Sequence, residues 1–195
     1  MDTGEMYRTE QPKFVTVRSY IDKNFSYAEC SYYPPGYFWM CAKTISLLKM
    51  PLSYDRCVFV NIFYLVLGML GMFLLGRRLT SSDWHGLGAS LLLLGVPVYL
   101  HISRKFIGEF AVTTCVIFAM YFLISNCRWQ DKGKSLLFGI VCGIGMLFKW
   151  SFIAYIIGPL LVSIRYSYCS RKRDSRRDWL WNIFFGFLGA LIVCG

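Results

Sequence analysis

Apolar side chains come in long runs along this chain, at about 57–76, 86–102, 106–125, 136–148, 150–164 and 179–195. The first, "CVFVNIFYLVLGMLGMFLLG", holds a single strongly polar side chain, Asn61. Roughly 20 consecutive apolar residues cross a bilayer as a helix. The pattern therefore predicts an all-α, polytopic transmembrane helical bundle of about six spans. Residues 1–56 are more polar and predict an outer, extramembrane loop segment ahead of a transmembrane region over 57–195. The last run is still apolar at Gly195, so the transmembrane region is expected to be truncated at its C-terminus.

One run needs its flanks to be read. The stretch 136–164, "LLFGIVCGIGMLFKWSFIAYIIGPLLVSI", would measure about 44 Å as one helix, against a hydrocarbon core of about 30 Å. Arg128, Lys132 and Lys134 precede it, and Arg165, Arg171, Lys172, Arg173, Arg176 and Arg177 follow it. A single crossing would put these basic loops on opposite sides, against the positive-inside rule. Two short crossings put both on the cytoplasmic side with Arg77 and Arg78, and put Lys149 at the outer turn. The same parity places residues 1–56 outside, with Arg104, Lys105 and Glu109 on the same membrane face.

Composition agrees with a membrane protein: 56% of residues are hydrophobic, 16% are charged and mean hydropathy is +0.46. Soluble domains are closer to a quarter charged. The net charge of +10 lies mostly in loops between apolar runs, where it reads as topology or contact with anionic membrane lipids. Nothing resembles a nucleic-acid-binding signature, so no nucleic-acid partner is expected. The eight cysteines form no C-x-x-C pair, and no metal site or cofactor is expected. The N-terminus lacks the apolar core of a signal peptide.

Three places carry candidate chemistry. "SYYPPGYFW" (31–39) sets Pro34 and Pro35 among Tyr32, Tyr33, Tyr37, Phe38 and Trp39. Adjacent prolines exclude mid-helix backbone, and the rings suit either an interfacial anchor or a functional loop. "HISRKFIGEFAV" (101–112) gathers His101, Arg104, Lys105 and Glu109, and on one helix Lys105 and Glu109 would share a face. Such a cluster is also what snorkelling side chains at a membrane boundary produce. Lys149 lies between "GIGMLF" and "WSFIAY", and an ionisable group at that depth needs a partner, either a bound anion or a carboxylate such as Glu109. Arg and Lys bind phosphate esters, a carboxylate can deprotonate an acceptor, and aromatic faces suit sugars and isoprenoid chains. Together these parts fit transfer of a sugar from a lipid-linked phosphate.

The order of these motifs resembles the integral-membrane GT-C glycosyltransferases, particularly glycosyltransferase family 39. That family includes protein O-mannosyltransferases and the aminoarabinose transferases that modify lipid A. "YYPPGYFW" resembles its "YPPL-Y" segment, and "GRRL" (76–79) its "G-R-R-L". "SRKFIGEFAVTTCVIFAMYFL" (103–123) resembles its "S-R-x-x-x-x-D" helix, with Glu109 where Asp is usual. "GIGMLFKWSFIAYIIGPLL" (143–161) resembles its "G-L-x-x-L-T-K-W-T" segment.

The resemblance implies a polyprenyl-phosphate sugar donor and a lipid, glycan or protein acceptor. It implies that Lys149 and Arg104 hold the donor phosphate and that Lys105 and Glu109 shape the site. The Tyr33, Pro34, Pro35 and Tyr37 segment would stiffen the outer loop and line the substrate groove. The family's presumed base belongs to an Asp-Glu pair after a first helix. This chain has neither the helix nor the dipeptide, and Asp2 or Glu5 is the candidate base. The expected location is the bacterial inner membrane, or the endoplasmic reticulum membrane in a eukaryote. The rival readings are a secondary transporter or lipid flippase, and a non-catalytic fragment of a glycosyltransferase. Transporters often carry paired repeats, and none is evident here.

Overall fold

The structure is a computed structural model that describes residues 34, 36–51, 53–126, 129–169 and 176–194. Among these residues the chain is all-helical, as the apolar runs predict. The helices are α1 (Gly36–Leu47), α2 (Tyr54–Thr80), α3 (Asp83–Gly95), α4 (Pro97–Ser103), α5 (Glu109–Ser125), α6 (Lys132–Phe148), α7 (Phe152–Cys169) and α8 (Arg176–Cys194).

By length and composition α2 and α7 can each cross a membrane alone. The run at 86–102 is a broken pair: α3 and α4 meet at 67° and together could form a third span. The cause is Pro97, which opens α4 at its first turn and holds Val96 extended. Helix α5 and the Leu180–Val193 part of α8 are apolar but shorter. The 136–164 run falls into two helices, α6 and α7. They part at Lys149, whose backbone is extended (φ −163°, ψ 133°).

Two sequence expectations are corrected. The ring-rich segment is not loop throughout, because Gly36 opens a 12-residue helix just after the prolines. Pro costs no hydrogen bond at a helix start, so prolines just ahead of Gly36 in the sequence do not oppose a helix there. Gly36 is needed there for packing: a Cβ would stand 2.8 Å from the Leu147 carbonyl oxygen at the end of α6. Lys105 and Glu109 also do not share a helix face, since α4 ends at Ser103 and α5 starts at Glu109. The carbonyls of Ser103 and Lys105 turn instead to Asn61 Nδ2, at 3.0 and 2.8 Å.

The core follows helical periodicity. Cys57, Val60, Asn61, Tyr64, Gly68 and Gly71 form the buried stripe of α2, while Phe59, Phe63, Val66 and Leu70 on the other face are exposed, as suits lipid contact. Lipid tails are as apolar as these side chains, so close packing and hydrogen bonds must hold the helices together. Glycines supply the close approach. Gly139 of α6 lies against the Gly186 carbonyl of α8, and Gly189 of α8 lies against the Leu136 carbonyl, so neither position has room for a side chain.

Candidate active site

Where α1, the α4–α5 connection and the α6–α7 break converge, charge collects at one end of the bundle. Lys149 Nζ donates to Glu109 Oε1 at 2.6 Å. Glu109 is the first residue of α5 and Lys149 directly follows α6, so two helix termini fix the pair. The Lys149 and Glu109 side chains keep 30% and 36% of their surface accessible, so a ligand can reach both. The first turn of a helix favours a negative charge, which suits Glu109 in ionised form.

The floor beneath the pair is aromatic. Tyr37 is buried, with ring centroids 5.4 Å from Phe106, 6.2 Å from Tyr64 and 6.4 Å from Phe148. Its hydroxyl donates to Asn61 Oδ1 at 2.8 Å. Gly108, just before Glu109, packs between the Tyr37 side chain and the Phe148 carbonyl. Tyr37 therefore supports the site from below, and its ring is not displayed on an open groove. The Phe152 ring of α7 packs directly on Gly145 of α6, where a Cβ would have no room.

Arg104 and Lys105 sit on the connection just ahead of Glu109, both exposed, and no carboxylate among the described residues pairs with either. Pro34 is buried. Asp2, Glu5, Tyr33 and Pro35 lie outside the described residues.

Asn61 is the residue that sequence reasoning passed over. It is 1% exposed and joins Tyr37 to the Ser103–Lys105 backbone. Its signal was present, as the lone strongly polar side chain in a 20-residue apolar run.

An apolar cavity of about 270 Å³ opens between α6, α7 and α8. Met146, Phe152 and Ile153 line it close to Lys149, and Trp129, Ile164 and Ile183 line its far end. The site therefore joins a reachable cation and carboxylate to an apolar slot beside them.

Apolar helices closed at one end by a reachable ion pair define an integral membrane protein with a polar site at the bundle's end. Residues 33–194 match the family model described as dolichyl-phosphate-mannose-protein mannosyltransferase, and the chain belongs to that family. No curated protein and no solved structure matches it. The chain is thus a membrane glycosyltransferase of the mannosyltransferase type.

Proposed function

We propose that the protein transfers a sugar from a polyprenyl-phosphate donor to a hydroxyl of a glycan, lipid or protein acceptor. Lys149 meets the donor phosphate, Arg104 adds charge from the α4–α5 connection, and Lys105 and Glu109 shape the site. Tyr37 supports the site from α1, and Tyr33, Pro34 and Pro35 belong to the substrate-binding segment. The Lys149 end faces the non-cytoplasmic side, because the basic loops cluster beyond the other helix ends.

The observation that carries this reading is the Lys149–Glu109 pair, a cation held at a membrane boundary yet reachable from outside. The neighbouring cavity supports a lipid-linked donor: an isoprenoid chain suits its lining, and its near end is formed by residues flanking Lys149. In the reaction the acceptor oxygen bonds to the sugar's anomeric carbon. The bond from that carbon to the phosphate oxygen breaks, and polyprenyl phosphate leaves with the electron pair. A cation at the phosphate stabilises the charge that grows there.

Transfer from a polyprenyl-phosphate sugar by full-length protein in nanodiscs tests this. Lys149→Met keeps the stem and removes the charge. A charge-assisted hydrogen bond contributes about 1.5–3 kcal/mol, so donor use should weaken roughly 10- to 150-fold. Lys149→Arg should recover part of the loss. Wild-type kinetics for the Met variant would sink the phosphate role.

A further inference from the structure

The apolar slot between α6, α7 and α8 has two ends, and the one away from Lys149 carries a charge pattern of its own. Along α7 the lining runs from Phe152 to Ile164, about 18 Å of helix. At the far end the Trp129 ring lies against Gly186 of α8. One residue before Gly186, the Lys132 ammonium stands 5.9 Å from the centre of the Phe185 ring. On α7, Arg165 directly follows Ile164, the last lining residue of that helix. Helix α8 opens with Arg176 and Arg177. Each of the three helices around the slot thus brings a basic residue to the same end.

We propose that this end of the slot binds one anionic phospholipid of the cytoplasmic leaflet, with its phosphate at Lys132 and Arg165 and an acyl chain in the far part of the cavity. The inference takes only the membrane orientation from the reading above. It does not depend on sugar transfer, because the donor's chain enters at the other end, beside Lys149.

The two cations are free to receive a head group. Both are exposed, and among the described residues no carboxylate pairs with either. The Asp131 carboxylate next to Lys132 in the chain is already engaged, by Lys134 Nζ at 3.4 Å and by the N–H groups of Gly133 and Lys134. Cations that served topology alone would need no particular place on these loops. Here they stand at the mouth of an apolar slot, and a phospholipid joins a charged head to an apolar chain. Basic pockets between membrane helices on the cytoplasmic side are sites of this kind.

Buried polar atoms at the same end fit a glycerol backbone and its water. Ser163 Oγ accepts from Trp129 Nε1 at 3.1 Å. One turn further along α7, Ser167 Oγ is buried, and among the described residues it has no hydrogen-bond partner; the same holds for Asn182 Oδ1 on α8. Buried polar atoms are usually paired, with protein or with ordered water. Tyr166, Tyr168 and Trp181 on the same helix ends are exposed, as rings are at the level of lipid head groups.

Lipid binding to the full-length protein in detergent tests the proposal. Dioleoyl phosphatidylglycerol and dioleoyl phosphatidylcholine are titrated separately, and the lipid retained is counted by native mass spectrometry beside the thermal midpoint. Wild type should retain one phosphatidylglycerol in preference to phosphatidylcholine. The double variant Lys132→Gln, Arg165→Gln alters exposed positions only, and the preference should fall by roughly 5- to 30-fold. Arg78→Gln removes an exposed cation that follows α2's apolar run, away from the slot, and should leave the preference unchanged. Ile164→Trp fills the far end and should weaken retention with both cations intact. Should that variant fail to fold, sn-glycerol 3-phosphate decides: a head group without chains should not displace the lipid. Equal retention of both lipids by wild type, an equal loss in Arg78→Gln, or displacement by glycerol phosphate overturns the proposal.

Discussion

The two ends of α6 hold polar groups of different kinds, about 25 Å apart for a helix of this length. At the Lys149 end the polar groups are charged, partly accessible and drawn from separate helix termini. At the other end they are mostly neutral and bond to backbone and to one another, with an exposed Lys134–Asp131 pair within one turn at the start of α6. Asn126 Nδ2 donates to Ser135 Oγ at 2.7 Å, and Asn126 Oδ1 accepts from the Asp131 N–H at 3.1 Å. Trp129 has left-handed backbone (φ 53°), unusual for a large side chain. It is held there by Asn182 Nδ2 on its carbonyl at 2.6 Å and by its own Nε1 donating to Ser163 Oγ at 3.1 Å. Neutral groups bonded to one another close a bundle, whereas a reachable ion pair held between two separate helix termini retains capacity for a ligand. The first arrangement ties α6, α7 and α8 together, and the second is where chemistry belongs.

The sharpest break in that comparison is Asn61→Leu. Asn61 belongs to the charged end but works as the neutral groups do, through hydrogen bonds to Tyr37, Ser103 and Lys105. Each such bond within a membrane contributes about 1–2 kcal/mol. The variant should lower the thermal midpoint in detergent and also reduce transfer per folded molecule, because the α4–α5 connection loses its anchor. Normal transfer from the folded fraction would show that the connection does not position the site.

Asn182→Leu should have a smaller effect and on stability alone. It removes the bond to the Trp129 carbonyl, about 1–2 kcal/mol, at the far end from Lys149. The thermal midpoint should fall while donor affinity stays at the wild-type value. A parallel loss of donor affinity would couple the two ends and contradict their separation.

Asp131 gives the smallest effect. The Lys134 N–H donates to its carboxylate at the start of α6, with Gly133 adding a second bond, and these hold its pKa below the usual aspartate value. A depressed folded pKa adds stability that is present above the unfolded value, about 3.9, and is lost as pH falls through the folded one. The group is exposed, so the effect is slight and screened by salt. Asp131→Asn still caps the helix and should flatten this acid limb in a pH series of thermal midpoints. An unchanged limb would assign it to other carboxylates.

How much of this was legible depends on the range of the interactions. The helices follow from apolar runs, and the break at Lys149 follows from basic flanks on both sides of one long run. Lys149's need for a partner, a bound anion or a carboxylate such as Glu109, follows from its depth. The hub at Asn61 could not be read, because its partners stand 24, 42 and 44 residues away. Nor could α1, since Pro34 and Pro35 speak for loop and the helix beyond them forms by packing Gly36 on Leu147 and burying Tyr37, Phe38 and Cys41. The supposed Lys105–Glu109 helix face failed for a related reason: local spacing could not show that α4 stops at Ser103, where the Ser103 and Lys105 carbonyls bond to Asn61.

The central claim is that the accessible charge at one end of α6 receives the donor phosphate. Equilibrium binding of a polyprenyl-phosphate sugar to wild type, Lys149→Met and Asn182→Leu in nanodiscs tests it most directly. The account predicts affinity lower by roughly 10- to 150-fold for Lys149→Met and unchanged for Asn182→Leu. Equal affinity for wild type and the Met variant would contradict it.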